Sequence, residues 1–177
     1  MIYRSYEDGS FESVAMSLPG KVDSEKGVVY FGGSLPYLHN FDFNKHFKET
    51  YGKRCTIIND GKAAALCELW LGNLQGVRNG LVITLGVAAL FHDYVKELLK
   101  LIINLQAVLN MEKVLIGGGI SEQPLLLDEL NAQYDKHRQL SPIYGNVFEP
   151  LVIDTCAFKN NSNILGAVYA SMHIDQS

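Results

Sequence analysis

The chain has 177 residues, enough for one domain or two small ones. Its 15 Lys and Arg against 19 Asp and Glu give a net charge of −4, which argues against a nucleic-acid module, since such modules carry a basic stripe. With 47% apolar and 19% charged residues it can bury a core and is not a disordered chain.

In chain order, Ser13–Leu18 reads as a buried strand stopped by Pro19-Gly20. Lys21–Gly27 is polar and turn-like. Val28–Phe31 is a short strand before the breakers Gly32-Gly33, and residues 35–43 read as a structured loop without a period. Asn44–Tyr51 predicts a helix closed by Gly52. Cys55–Ile58 is a strand running into Asn59-Asp60-Gly61, and the Ala- and Leu-rich segment Lys62–Leu71 predicts a helix stopped by Gly72.

The second half repeats this logic. Leu81–Leu85 is a strand ending at Gly86, and Asp93–Leu109 is the clearest helix. Its Val95, Leu98, Leu99, Ile102, Leu105 and Leu109 share one face, with Lys96, Glu97 and Lys100 off it. Val114–Ile116 is a strand ending in Gly117-Gly118-Gly119. Ser121 opens a helix to about His137, with Pro124 tolerated in its first turn. Residues 148–154 form a strand interrupted by Pro150, and Asn163–His173 is a closing helix. Strand and helix alternate in both halves, which predicts an α/β fold with helices packed on sheets. The loose similarity of the halves predicts a border near residue 75, with 1–75 and 76–177 as two lobes around a cleft.

Three segments are candidates for chemistry. In Asn59-Asp60-Gly61, a carboxylate at a strand end and helix mouth can take a proton from a hydroxyl, while the amide bonds a neighbouring hydroxyl. The same triplet is also an ordinary turn and helix cap. Gly117-Gly118-Gly119 lets the backbone approach a ligand closely, or is a strand-to-helix turn that needs positive φ. Pro19-Gly20-Lys21 is a tight turn able to present amides to a sugar, or a plain surface turn. The five histidines show no ligand spacing and no metal set emerges.

Membrane insertion is not expected. The charge-free apolar stretch at residues 79–91 is too short to span a bilayer, and the first eight residues lack the apolar core of a signal peptide. Cys55, Cys67 and Cys156 have no paired spacing, which predicts free thiols in a reducing, cytoplasmic setting.

Taken in order, residues 17–23, 27–29, 58–68, 81–86, 114–121 and 163–167 resemble the motif series of ROK proteins (repressors, open reading frames and sugar kinases). Residues 32–38 and 62–72 resemble the β-glucoside kinase and glucokinase branch. The resemblance implies the actin-like ATPase architecture, two ribonuclease-H-like lobes holding ATP, Mg²⁺ and a hexose. It implies Asp60 as the catalytic base on the sugar hydroxyl. Asn59, Gly20, Lys21 and Ser34 would line the sugar site, and Gly117, Gly118 and Gly119 the adenosine side. The departures are specific. The Asp-x-Gly-Gly-Thr phosphate hairpin, the Gly-rich phosphate segment after the strand at residues 81–85, and the His/Cys zinc motif are all absent from this sequence. Positioning and charge neutralisation carry phosphoryl transfer, so a shortened homologue with impaired kinase activity is expected. Sheet edges left uncovered in both lobes predict a homo-oligomer.

Overall fold

The computed structural model describes residues 11–85, 91–119 and 124–173. The chain forms two compact units, residues 1–67 with 161–177, and residues 68–160.

In the first unit, β1 (Ser13–Leu18) pairs in parallel with β5 (Arg54–Asn59). A separate antiparallel sheet is built from β2 (Lys21–Asp23), β3 (Val28–Phe31) and β4 (Phe41–Asp42). The polar stretch after Pro19-Gly20 is therefore a strand before it is a turn. Lys21, Val22 and Asp23 take their hydrogen bonds from β3, which a local pattern does not announce. Helix α1 (Phe43–Tyr51) starts at Asp42, whose side chain accepts the Lys45 N–H at 2.8 Å. It stops at Gly52, whose φ of 63° suits glycine.

One face of the β1–β5 pair packs Leu18, Cys55 and Ile57 against Val29 and Phe43. The opposite face carries Ala15 and Ile58. It is covered by α2 (Asp60–Trp70) and α6 (Ser162–His173) through Ala63, Ala167 and Ala170. Small residues let the two helices approach. A Cβ on Gly166 would fall 1.7 Å from the Ala63 carbonyl oxygen. The expected border after residue 75 grouped this last helix with the second half, whereas the first unit takes it in.

The second unit is a parallel sheet in the order β6 (Gly80–Thr84), β7 (Lys113–Gly117), β8 (Val152–Thr155). Helices α3 (Phe91–Leu109), α4 (Pro124–Leu140) and α5 (Pro142–Val147) complete it. Val95, Leu98, Leu99 and Ile102 of α3 are buried with Val114, Ile116 and Ile153 of the sheet, as the periodicity predicts. Leu109, assigned to the same face, is half exposed, because it is the helix's last residue. Gln106 is buried in its place. Its amide donates to the Glu149 carbonyl at 3.0 Å, and its Oε1 accepts from the Tyr134 and Tyr144 hydroxyls. The other sheet face carries Leu115, which packs with Leu74 and Cys156. Helix α5 has no counterpart in the sequence reading. The predicted helix start at Ser121 lies outside the described residues.

Candidate functional site

The register of β1 on β5 sets Leu18 opposite Asn59. The turn after β1 therefore comes beside the carboxyl end of β5, the end where parallel α/β sheets bind ligands. Asn59 ties the two together, its Nδ2 donating to the Gly20 carbonyl at 3.0 Å. Its Oδ1 accepts the Lys62 N–H at 3.1 Å, so Asn59 is the N-cap of α2. Asp60 is then the first helical residue, two positions before the expected start. Asp60 is half buried, and its Oδ1 accepts the Gly61 N–H at 2.8 Å. The second carboxylate oxygen has no hydrogen-bond partner among the described residues.

Gly20 has a φ of 89°, and a Cβ there would lie 2.0 Å from the Phe31 carbonyl oxygen and 2.7 Å from the Gly33 nitrogen. The turns after β1 and β3 thus pack backbone against backbone, with Gly33 at a φ of 57°. Ser34 follows Gly33 and is exposed. Lys21 is also exposed, its ammonium 5.7 Å from the centre of the Tyr30 ring. Asn59, Asp60, Gly20 and Gly33 form one group with Ser34 beside it, and the Lys21 ammonium is directed to Tyr30. Asp23, at the far end of β2, serves the turn into β3. Its carboxyl is held below the usual range, first by the backbone N–H of Lys26 and also by the Lys26 charge.

The glycine triplet belongs to the second unit. Gly118 has a φ of 92°, and a Cβ there would lie 2.2 Å from the Leu85 carbonyl oxygen. A Cβ on Gly117 would lie 2.9 Å from Cys156 Sγ. The Leu85 N–H donates to the Gly117 carbonyl at 2.8 Å, closing β6 onto the turn. At these two positions a side chain would collide with the unit's own atoms, which is why glycine stands there. Gly119 is exposed. Residues 87–90, which stand in place of a Gly-rich segment, lie outside the described residues.

Two residues that the sequence reading passed over are held as firmly as any candidate. Glu68, fully buried, accepts the N–H groups of Asn73 at 2.9 Å, Ala157 at 3.1 Å and Phe158 at 3.5 Å. It anchors the loop after α2 and the turn after β8. Gly72 leaves room for it, since a Cβ there would lie 2.2 Å from the Glu68 carboxylate. Gln106 is the second, in the tyrosine network above. Sequence shows only a polar residue inside an Ala- or Leu-rich helix in both cases, which does not by itself announce burial.

A cavity of about 500 Å³ is lined by Arg78, Asn110, Glu112 and Glu149, and another of about 410 Å³ by Lys48, Lys53, Arg54 and Glu25. The first adjoins the amino ends of β6–β8, away from the glycine triplet of the same unit, and the second adjoins the amino end of β5, away from Asp60. Among the described residues, no group of three His, Cys, Asp or Glu is placed to hold a metal ion. No helix among them is long and apolar enough to cross a membrane.

The fold is the actin-like ATPase fold, shared with solved ROK family proteins. It matches a ROK family protein from Streptococcus pneumoniae TIGR4 in complex with sucrose, with a TM-score of 0.78 and 16% identity over 97% of this chain and 83% of that one. It also matches a ROK family glucokinase from Streptomyces griseus in complex with glucose and AMPPNP, with a TM-score of 0.70 and 16% identity over 92% and 82% of the two chains. The model of the ROK family matches residues 3–89 of this chain. Within this region the chain is 31% identical over 77 residues to a protein named beta-glucoside kinase from Klebsiella pneumoniae. That match covers 44% of this chain and spans about a quarter, 26%, of the relative's length.

Proposed function

We propose that the first unit binds a hexose, glucose or the glucose ring of a β-glucoside, with Asp60 facing the hydroxyl that the family phosphorylates. The observation that carries this reading is the bond from Asn59 Nδ2 to the Gly20 carbonyl, which braces a half-buried carboxylate at the carboxyl ends of β1 and β5. The free Asp60 oxygen accepts the sugar O–H and takes its proton as the oxygen becomes nucleophilic. Asn59 retains one amide N–H for an adjacent hydroxyl, and the Gly20 and Gly33 turns offer backbone close to the ring. The relatives' names support glucose and β-glucosides as the sugar class.

ATP supplies the phosphoryl group in the family. This chain's grip on it is proposed to be weak, with a dissociation constant above about 1 mM, or about 4 kcal/mol of binding. Val87-Ala88-Ala89-Leu90 cannot offer the permissive backbone of a glycine loop, and a net charge of −4 does not attract an anion. The chain is thus read as a ROK sugar kinase homologue of impaired turnover. A second reading is a non-enzymatic, self-associating sugar-binding protein. Leu101, Val108 and Leu109 of α3 favour it, since they leave an apolar strip exposed. Three separate buried thiols, Cys55, Cys67 and Cys156, support a reducing cytoplasm as the compartment.

Calorimetric titration with glucose, then with ATP and Mg²⁺, followed by a coupled assay for ADP, tests the proposal. Glucose binding that Asp60→Asn weakens, with little nucleotide binding, supports it. Micromolar ATP affinity with glucose-dependent ADP release that Asp60→Asn abolishes would replace impairment with full kinase activity. Glucose binding unaffected by Asp60→Asn would remove the sugar site.

A further inference from the structure

Phe31 ends β3 in an unusual state for a phenylalanine. It lies on the same strand face as the core residue Val29, two positions earlier, yet it is 57% exposed. Its backbone belongs to the candidate site. The Phe31 carbonyl oxygen is the atom that excludes a Cβ at Gly20, and Gly20 in turn receives the Asn59 amide. The ring therefore projects from a residue that borders the sugar turn.

The segment that follows folds back on it. Leu35 N–H bonds the Gly32 carbonyl at 2.9 Å, Leu38 N–H the Leu35 carbonyl at 3.0 Å, and His39 N–H the Pro36 carbonyl at 3.2 Å. Leu38 packs into the core and tethers the loop. These turns bring the exposed His39 ring edge-on to Phe31, with centroids 6.1 Å apart. Tyr37, between them on the loop, is 74% exposed. Phe31 at the end of β3, with Tyr37 and His39 on the tethered loop after it, puts three exposed rings close together beside the Gly20 turn. Holding them out of the core costs apolar burial, and a flat apolar ligand face would recover it.

We propose that Phe31, supported edge-on by His39, is an outer subsite that stacks against the second sugar ring of a disaccharide glycoside and sets its preference over free glucose. The proposal rests on the sugar-site reading above and deepens it. A pyranose presents C–H groups on its faces. These carry slight positive charge and match the negative face of an aromatic ring. With a single ring seated against Asp60 and the Gly20 turn, Phe31 is assigned to the second ring, so only the longer ligand responds to its loss.

Dissociation constants for glucose and cellobiose, measured by calorimetry on the full chain, test this. Phe31→Leu keeps an apolar side chain and removes the ring, and Phe31→Tyr keeps the ring. The expected result is cellobiose bound about fivefold more weakly by Phe31→Leu, restored in Phe31→Tyr, with glucose unchanged. Thermal melts confirm that both variants fold, and His39→Ala gives a smaller loss of the same kind. Loss of glucose and cellobiose binding together, or no loss for cellobiose, overturns the subsite and leaves the sugar site standing. Wild-type protein that binds neither sugar overturns the sugar-site reading and the subsite with it.

Discussion

Replacing Gly166 by alanine isolates the contact between α2 and α6. By helix propensity alone the change stabilises by about 1 kcal/mol. The structure predicts the opposite sign. The new methyl carbon would lie 1.7 Å from the Ala63 carbonyl oxygen, 2.4 Å from its carbonyl carbon and 2.8 Å from its Cα. All three are backbone atoms, so no side chain can rotate away. The helices must separate until the closest approach exceeds about 3.0 Å, which loosens Ala63, Ala167, Ala170 and Ile58 together. Overpacking of this kind costs about 1–3 kcal/mol, and with no neighbour able to yield, the upper part of that range applies. Net destabilisation is then about 1–2 kcal/mol, a fall in melting temperature of about 2–8 °C for a chain of this size. Urea and thermal unfolding followed by circular dichroism measure it. Because Ala63 is in the first turn of α2, sugar affinity should fall as well. A Gly166→Ala protein that melts higher than wild type would refute the close crossing and the argument built on it.

Glu68→Gln should destabilise by about 1–3 kcal/mol, because one amide oxygen cannot satisfy the three N–H groups that the buried carboxylate accepts and the new NH₂ opposes them. Hydrogen exchange at the Ala157 and Phe158 amides should accelerate, and unchanged exchange would remove Glu68 from its anchoring role. Burial pushes the Cys55 thiol up to about 12, and burial, with Tyr134 beside it, pushes Tyr144 up to about 12. Both groups stay protonated in the folded chain while their unfolded counterparts ionise near 9 and 10. Their stabilising contribution is complete below about pH 9 and is lost as pH rises to about 12, so urea midpoints should be level to pH 8.5 and fall beyond it. Self-association through the exposed apolar strip of α3 should give a light-scattering mass above 19.7 kDa that rises with concentration. A constant monomer mass, or association unchanged by Val108→Lys, would count against that surface.

Most of the regular elements were legible because each is a hydrophobic run or stripe bounded by a local stop. β1 ends at Pro19-Gly20, α1 at Gly52, and α3 announces its face through Val95, Leu98, Leu99 and Ile102. The ordered motifs likewise carry the ROK resemblance, and the strand-to-helix junction at Asn59-Asp60 is legible in sequence alone. Features made by distant backbone were not legible. β2 and β4 are too short and polar to read as strands, and exist because β3 lies between them. Gly20, Gly118 and Gly166 look like flexible or helical glycines in sequence. Each is needed for a close approach, to Phe31, Leu85 and Ala63 respectively. Glu68 and Gln106 sit in helices as ordinary polar residues until the N–H groups and hydroxyls that surround them are known. The last helix followed the second half in sequence and joined the first unit in space. Periodicity and breakers act within a few residues and are written locally, whereas burial and hydrogen-bond satisfaction depend on which remote segments meet, and only the folded chain decides that.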